Sequence, residues 1–346
     1  MADISAPKIR FAVIGIGHIG RRHAQLILQN PNAALVALID NREDFILEDD
    51  FAGVPRFASL EEFILAGVGA DVLCVCTPNY LHHPHTLAGL QHGLHVVCEK
   101  PMALEAAHCQ EMIDAAEAAN RQIFCVMQNR YSPPAVWLKE VVQSGVLGQL
   151  YHVQVNCFWN RNERYYLPGG WRGDAVKDGG TLFTQFSHFV DMLYWLFGDV
   201  DRINGQFRNF NHAALTEFED SGYLQFEFEN GGFGTFNYTT AVHSQNLESS
   251  ITIIAENGSI KVGGQYMNSV EYCDIRNYTL PELKPCMPAN NYGHYTGSAA
   301  NHQFVFENVI STLRQQTTAT TNAQEGLKVV EIIERMYALK AVPVNL

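Results

Sequence analysis

The chain has 346 residues, 47% hydrophobic and 17% charged, with 27 glycines and 13 prolines, a composition that fits two ordinary domains and excludes disorder, collagen-like repeats and coiled coil. Its 23 basic residues against 36 acidic ones leave a formal charge of −13, which repels phosphate backbones and anionic membranes and argues against a nucleic-acid partner. The eight cysteines form no C-x-x-C pair and read as buried free thiols; with no signal-peptide core and no apolar stretch of membrane-spanning length, a cytoplasmic location is expected.

Residues 8–15 form a β-branched and aromatic run that stops at glycine, as a buried parallel strand does. A helix is predicted over 18–29 and an apolar strand over 34–40. Ser59, with Glu62 three residues on, marks a helix start. A third strand over 70–76 ends at Thr77-Pro78. A helix at about 83–92, a strand at 95–98, a helix at about 103–119 and a strand at 123–127 continue the pattern. Such alternation predicts right-handed βαβ units and a doubly wound parallel sheet. Beyond Gln128-Asn129-Arg130 the pattern changes. A helix over 134–144 leads into an alternating strand over 150–159. Runs 222–229 and 233–240 flank Asn230-Gly231-Gly232, and runs 250–255 and 259–262 flank Glu256-Asn257-Gly258, two hairpin signals. Helices at about 298–314 and 323–339 close the chain. The fold class is therefore α/β: a doubly wound N-terminal domain over 1–128 and an α+β domain over 129–346 with an open, mostly antiparallel sheet. The last helix is free to pack back on the first domain.

Gly15-Ile16-Gly17-His18-Ile19-Gly20 is a G-x-G-x-x-G lying directly between a strand and a helix. Gly15 suits the tight turn, Gly17 lets backbone approach a pyrophosphate, and Gly20 lets helix and strand pack closely, while the helix N-terminus favours the phosphates. Asp40 ends the second strand, 20 residues past the last glycine, where a carboxylate accepts hydrogen bonds from the ribose hydroxyls and repels a 2′-phosphate. The dinucleotide is thus expected to be NAD rather than NADP, with Arg42 keeping the second open. Thr77, Asn79 and His82 follow the next strand at the carboxyl end of the sheet, where ligands of such folds lie. His82, His83 and His85 have no carboxylate or cysteine at ligand spacing, so no metal is expected there. Glu99-Lys100-Pro101 ends another strand, and Pro101 keeps Lys100 out of helical geometry, free to project toward the same crevice. A lysine there can hydrogen-bond a substrate hydroxyl and take its proton. The spacing alone fits a surface lysine equally well.

Residues 179–198 read as one buried helix, apolar nearly all round, bounded by glycines. Thr184, His188 and Asp191, at i, i+4 and i+7, form a single polar stripe that must face other polar groups, water or a ligand.

The glycine fingerprint with Asp40, the stretch Thr77 to His82, Glu99-Lys100-Pro101, Gln128-Asn129-Arg130-Tyr131 and the 179–198 helix occur in an order that resembles the Gfo/Idh/MocA oxidoreductases. The resemblance spans nearly the whole chain. It implies a Rossmann domain, a C-terminal α+β domain on an open mixed sheet, and a homodimer or homotetramer formed largely through that sheet. It implies that Lys100 and His188 are catalytic, one taking the proton and the other stabilising the developing alkoxide of an alcohol that gives hydride to nicotinamide. It also implies that His18, Ile19, Glu99, Lys100, Gln128, Trp171 and Arg172 join the glycines, Asp40, Thr77, Asn79 and His82 in holding the cofactor. Many sugar and inositol dehydrogenases of this family carry Asp where Thr184 stands, whereas members acting on nucleotide sugars often carry a neutral residue.

The stretch 79–85 and the loop 160–174 are similar to UDP-N-acetylglucosaminuronate 3-dehydrogenases. Arg161, Arg164 and Arg172 could hold a diphosphate or a uronate carboxylate, and Tyr165 or Tyr166 could stack on a base; exposed arginines snorkelling from a loop is the plainer account. Tyr292 sits in another candidate substrate loop, by position alone. Thr184 and Asp191 are taken with Arg164, Tyr165, Arg172 and Tyr292 as substrate-binding. The expected activity is NAD-dependent oxidation of a secondary ring hydroxyl, C3 of a nucleotide-linked sugar or uronate. The alternatives are a free-sugar or inositol dehydrogenase and a non-catalytic NAD-binding sensor.

Overall fold

The computed structural model describes residues 6–42, 51–167, 169–293 and 295–341. In chain order the first elements are β1 (Ile9–Ile14), α1 (His18–Gln29), β2 (Ala33–Ile39), β3 (Arg56–Phe57), α2 (Leu60–Leu65), β4 (Val72–Val75), α3 (His82–Gln91), β5 (His95–Cys98), α4 (Ala106–Ala118) and β6 (Ile123–Cys125). The six strands form one parallel sheet in the order β3-β2-β1-β4-β5-β6. That is the doubly wound order in which the carboxyl ends of β1 and β4 flank a topological switch point. β4 is buried along its whole length, as a central strand covered on both faces must be. The Ser59 hydroxyl accepts from the Glu62 amide at 3.1 Å and Glu62 Oε2 accepts from the Ala58 amide at 2.7 Å, the reciprocal cap foreseen for α2.

The chain continues through α5 (Pro133–Gln143), β7 (Leu150–Phe158), α6 (Ala175–Asp178), α7 (Thr181–Thr184), α8 (Ser187–Phe197), β8 (Val200–Arg208), β9 (Ser221–Phe228), β10 (Phe233–Thr239), β11 (Glu248–Ala255), β12 (Gly258–Gly263), β13 (Ser269–Ile275), β14 (Ala289–Asn291), β15 (Thr296–Ala299), α9 (His302–Leu313) and α10 (Ala323–Ala338). β7 to β13 make a seven-stranded sheet in the order β13-β12-β11-β7-β10-β9-β8. All neighbours are antiparallel except β7 and β10, which run parallel. β7 alternates between buried and less buried residues, so this sheet has one covered face and one open face. Tyr223, Phe233, Ile254 and Tyr272 stand exposed on the open one.

By compactness the chain divides into two units. One ends at Met127 and takes back His302–Leu327; the other holds Gln128–Asn301 and the chain from Lys328 onward. The return of α9 to the first unit is a feature that the sequence pattern did not mark. In that unit Phe306 of α9 packs edge-on against Phe11 of β1, ring centroids 5.7 Å apart.

Two expectations need correction. The 179–198 stretch is not one helix. Gly179 and Gly180 have φ of 86° and 116°, outside helical geometry, and the Phe186 amide reaches back to the Thr181 carbonyl rather than continuing the regular ladder. The segment is therefore two helices, α7 and α8, with a turn between them. The helix expected from 298 begins at 302, because 296–299 is β15, paired with β14. The edge strands β8 and β13, largely exposed and polar, carry too weak an alternation to be read from sequence. All eight cysteines are free, and six are buried. Among the described residues no helix is long and apolar enough to cross a membrane.

Candidate active site

In the first unit the glycine fingerprint does what its spacing requires. A Cβ on Gly15 would lie 2.8 Å from the Cys76 carbonyl and the Thr77 amide, and one on Gly20 would lie 1.9 Å from the Gly15 carbonyl oxygen. Strand and helix could not approach so closely with any side chain at either position. At Gly17 a Cβ would meet nothing within 4 Å. Its role is to leave the start of α1 uncovered, and as N-cap it offers no side chain to the first-turn amides. This cradle fits a pyrophosphate. His18 and Ile19, the other expected contacts there, open α1 and are part-exposed.

Asp40 lies at the end of β2. Its Oδ2 accepts from the Ile16 amide at 2.7 Å and from Arg42 Nη2 at 2.9 Å; its Oδ1 accepts from the Arg42 amide at 3.0 Å and Nε at 2.9 Å. Burial opposes the charge, but these bonds outweigh it and hold the carboxyl below its usual range. Asp40 is thus an anion at the end of β2, with its acceptor positions covered by the Ile16 amide and a half-exposed Arg42.

The strand-end motifs form one network. Glu99 is 6% exposed. It accepts from His23 Nε2 at 2.9 Å and from the Lys100 amide at 3.2 Å. The Cys76 thiol, which burial keeps protonated, meets His23 Nδ1 at 3.2 Å, and His302 Nε2 lies 3.9 Å from Glu99. Burial would raise the Glu99 pKa, but the His23 bond and the nearby His302 and Lys100 outweigh it and bring it to about 2. Burial lowers His302 to about 3. His23, Glu99 and His302 have ligand atoms mutually within 4.8 Å and could surround a cation. The 2.9 Å His23–Glu99 contact is already a hydrogen bond, so the cluster works as a brace under Lys100. The sequence reading missed His23 and His302; only the need of a buried carboxylate for a partner could have signalled them.

The three histidines 82, 83 and 85 have three different partners. His82, expected to touch cofactor, instead sits between the Pro101 carbonyl at 2.6 Å and the Thr77 carbonyl at 2.9 Å, tying the β4 end to the turn after Lys100. Burial lowers its pKa. His83 stacks on His108 and meets Glu111 at 2.8 Å, and His85 meets the Thr77 hydroxyl at 3.1 Å. Asn79 is buried at the start of α3's approach turn.

In the second unit His188, on the first turn of α8, is 4% exposed, and Gln128 Nε2 donates to its Nε2 at 3.2 Å. Gln128, foreseen as a cofactor contact, is thus a neighbour of the candidate catalytic imidazole. Asp191, one turn on, is held by Arg130 through two bonds of 2.9 and 2.5 Å. Asp191, expected from sequence to bind substrate, is held here in a buried ion pair with Arg130, a partner that the sequence pattern did not name. Thr184 is on α7, not α8, and its hydroxyl donates to the buried Asp178 carboxylate. The foreseen stripe is therefore divided: Thr184 toward Asp178, His188 toward Gln128, Asp191 toward Arg130.

The loop after β7 packs an aromatic cluster around two cations. The Arg161 guanidinium lies 4.7 Å from the Trp159 ring, 5.2 Å from Tyr165 and 4.8 Å from Tyr295. Arg172 lies 4.5 Å from Tyr165 and 5.0 Å from Trp171. Tyr292 stacks on Tyr295, centroids 4.9 Å apart. Arg164 is exposed and its side chain is not part of this group. His212 bridges the Arg161 carbonyl at 2.6 Å to Asp220 at 3.1 Å, fixing the loop. Burial lowers the Arg161 pKa. A cation over a ring gains about 0.5–2 kcal/mol, against several kcal/mol to take an ion out of water, so the rings alone do not satisfy this charge.

Comparison with known proteins places these features. Residues 9–127 match a model described as an oxidoreductase family with an NAD-binding Rossmann fold, and residues 136–261 match a GFO/IDH/MocA C-terminal domain. The chain is similar over 98% of its length, at 32% identity and a TM-score of 0.84, to 99% of the WlbA dehydrogenase from Bordetella pertussis, crystallised with NADH and UDP-GlcNAcA. The Chromobacterium violaceum WlbA dehydrogenase, in complex with the same two molecules, matches at 31% identity and a TM-score of 0.86, covering 99% of this chain and 98% of that one. D-glucoside 3-dehydrogenase of Escherichia coli is 25% identical over 97% of this chain and 96% of its own.

Proposed function

As a member of the GFO/IDH/MocA oxidoreductases, the chain is an NAD-dependent sugar dehydrogenase, and we propose that it oxidises the C3 hydroxyl of a nucleotide-linked sugar or uronate. The observation that carries this reading is the full-length likeness to two dehydrogenases crystallised with UDP-GlcNAcA, at 32% and 31% identity. A neutral Thr184 agrees with it. NAD supplies the hydride acceptor. The Gly15-to-Gly20 cradle and Asp40 hold that cofactor by its phosphates and ribose, with Thr77 and Asn79 at the neighbouring strand end.

Lys100 and His188 take the proton transfer and the stabilisation of the developing alkoxide. The Glu99 network braces the backbone of Lys100, and Gln128 orients the His188 ring. Tyr165, Arg172 and Tyr292 receive the substrate, with Arg164 at the exposed rim. A homodimer or homotetramer through the open sheet face fits the four large exposed side chains there.

A second reading is favoured by the glucoside relative, which aligns over 97% of this chain: oxidation of a free glycoside at C3. The deciding experiment measures reduced nicotinamide formed from NAD with UDP-GlcNAcA, methyl glucoside and myo-inositol. Turnover of the first far above the others is expected; preference for the glucoside replaces the first reading with the second.

A further inference from the structure

His188 and Gln128 meet through a group that can only donate. The two side chains are 4% and 3% exposed, and the Gln128 amide nitrogen lies 3.2 Å from His188 Nε2. An amide NH2 donates and cannot accept, so Nε2 of the ring takes part with its lone pair. The other end of the amide, Oε1, is buried and meets no donor among the described residues. No second bond within them turns the amide the other way.

The surroundings hold the pair at this spacing. Gln128 opens the turn 128–131, and Arg130 of the same turn grips Asp191 of α8 through hydrogen bonds of 2.9 and 2.5 Å. Asn129, between them, accepts from the Ser298 hydroxyl at 2.6 Å. The ion pair also matches the charge of Asp191, so the acidic residue of α8 is not left to attract a proton to the ring. A second observation concerns the place of the ring. His188 is the second residue of α8, an 11-residue helix with no acidic side chain in its first turn. The free amides of a helix start carry partial positive charge, which favours a neutral ring over a cation. A neutral imidazole whose Nε2 accepts carries its single proton on Nδ1.

We propose that Gln128 is a positioning residue that holds His188 in the Nδ1–H tautomer, so that the ring enters the reaction as a hydrogen-bond donor to the substrate oxygen and not as the group that takes its proton. The role in the reaction rests on the sugar-dehydrogenase reading; the tautomer does not. In the oxidation the substrate C–H bond breaks and hydrogen leaves with the electron pair to NAD. The O–H bond breaks and its proton passes to the neutral Lys100 amine, and carbon and oxygen are left as a carbonyl. His188 keeps its own proton throughout and stabilises the oxygen while it carries charge.

The test is the imidazole nitrogen NMR spectrum of NAD-saturated protein labelled with nitrogen-15 histidine, the His188 signals being those absent from His188→Gln. Wild type is expected to show Nδ1 in the protonated range and Nε2 in the unprotonated one. Gln128→Glu replaces the donor by a carboxylate that only accepts, and is expected to put a proton on Nε2. In that variant, with whichever of UDP-GlcNAcA, methyl glucoside or myo-inositol wild type oxidises, kcat is expected to fall about 10²–10³-fold while KM stays within about threefold. Should the charged variant not fold, Gln128→Met removes the donor without adding charge and is expected to show both tautomers, with a smaller loss of kcat. A wild-type proton on Nε2 overturns the proposal. So does a folded Gln128 variant that keeps the proton on Nδ1 alone, or one that loses this tautomer and turns over as wild type does. A wild type with Nδ1–H that oxidises none of the three sugars keeps the tautomer and loses only the proposed reaction.

Discussion

Arg130 and Asp191 grip each other through two parallel hydrogen bonds, of 2.9 and 2.5 Å, with side chains 0% and 1% exposed. The pair joins the turn at 128–131 to α8, the helix that carries His188. Removing one member leaves the other as an uncompensated buried charge, which typically costs about 3–5 kcal/mol. Asp191→Asn is therefore expected to lower the urea midpoint sharply, and its activity loss to follow the fraction unfolded. Arg130→Met combined with Asp191→Leu should recover most of that stability. An Asp191→Asn protein as stable as wild type but catalytically dead would return Asp191 to the substrate.

Lys100→Ala is expected to reduce kcat by about 10²–10⁴-fold while NAD affinity, followed by fluorescence quenching, changes little. His188→Gln should give a comparable loss with an altered pH profile. Unchanged kcat in the lysine variant would remove Lys100 from the chemistry.

The open face of the seven-stranded sheet presents Phe233, 55% exposed, and Tyr223, 52% exposed. Burying such rings contributes about 1.5–3 kcal/mol each. Phe233→Glu is expected to shift the sedimentation profile toward monomer. A monomeric wild type would leave this face without a partner copy.

The doubly wound half was legible because its rules are local: a glycine turn with a steric reason at Gly15 and Gly20, buried strands such as β4, and Asp40 at the right distance. Asn230-Gly231 likewise marked a hairpin between β9 and β10. What escaped depends on contacts distant in sequence. The parallel pairing of β7 with β10 leaves no local signature. The break between α7 and α8 depends on a single amide, Phe186, reaching past the regular ladder, and apolar periodicity passes over it. Arg130 as the partner of Asp191, and His302 beside Glu99, lie 61 and 203 positions away from those acids. Only the rule that buried charges need partners anticipates them, and that rule does not name the partner.

Asp40 and Arg42 are expected to set cofactor choice in opposite directions. The carboxylate favours the free ribose hydroxyls of NAD; Arg42, now folded over it, could instead pair with a 2′-phosphate. Asp40→Ser should lower kcat/KM for NAD by about 10–100-fold and raise it for NADP, with Arg42→Ala added to the serine variant removing the NADP gain. If the double variant keeps that gain, Arg42 is not the phosphate partner.

Acid stability should be governed in part by Glu99 and His302, whose pKa values are both depressed by folding. His302 falls from its ordinary 6.5 to about 3, so the folded protein holds it neutral while the unfolded chain takes up a proton below 6.5. Stability contributed by the neutral ring is complete above that pH and is lost as pH falls toward 3, by up to about 1.4 kcal/mol per pH unit. Glu99 moves from 4.5 to about 2; its contribution is complete above 4.5 and is lost as pH falls toward 2. Between about pH 6.5 and 4.5 only the histidine acts, so the two separate by range. His302→Asn should flatten the fall in urea-unfolding free energy between about pH 6.5 and 4.5 by the equivalent of one proton, and Glu99→Gln should change the slope only at lower pH. Equal slopes for wild type and His302→Asn in the upper range would mean that the folded protein already binds the proton at His302.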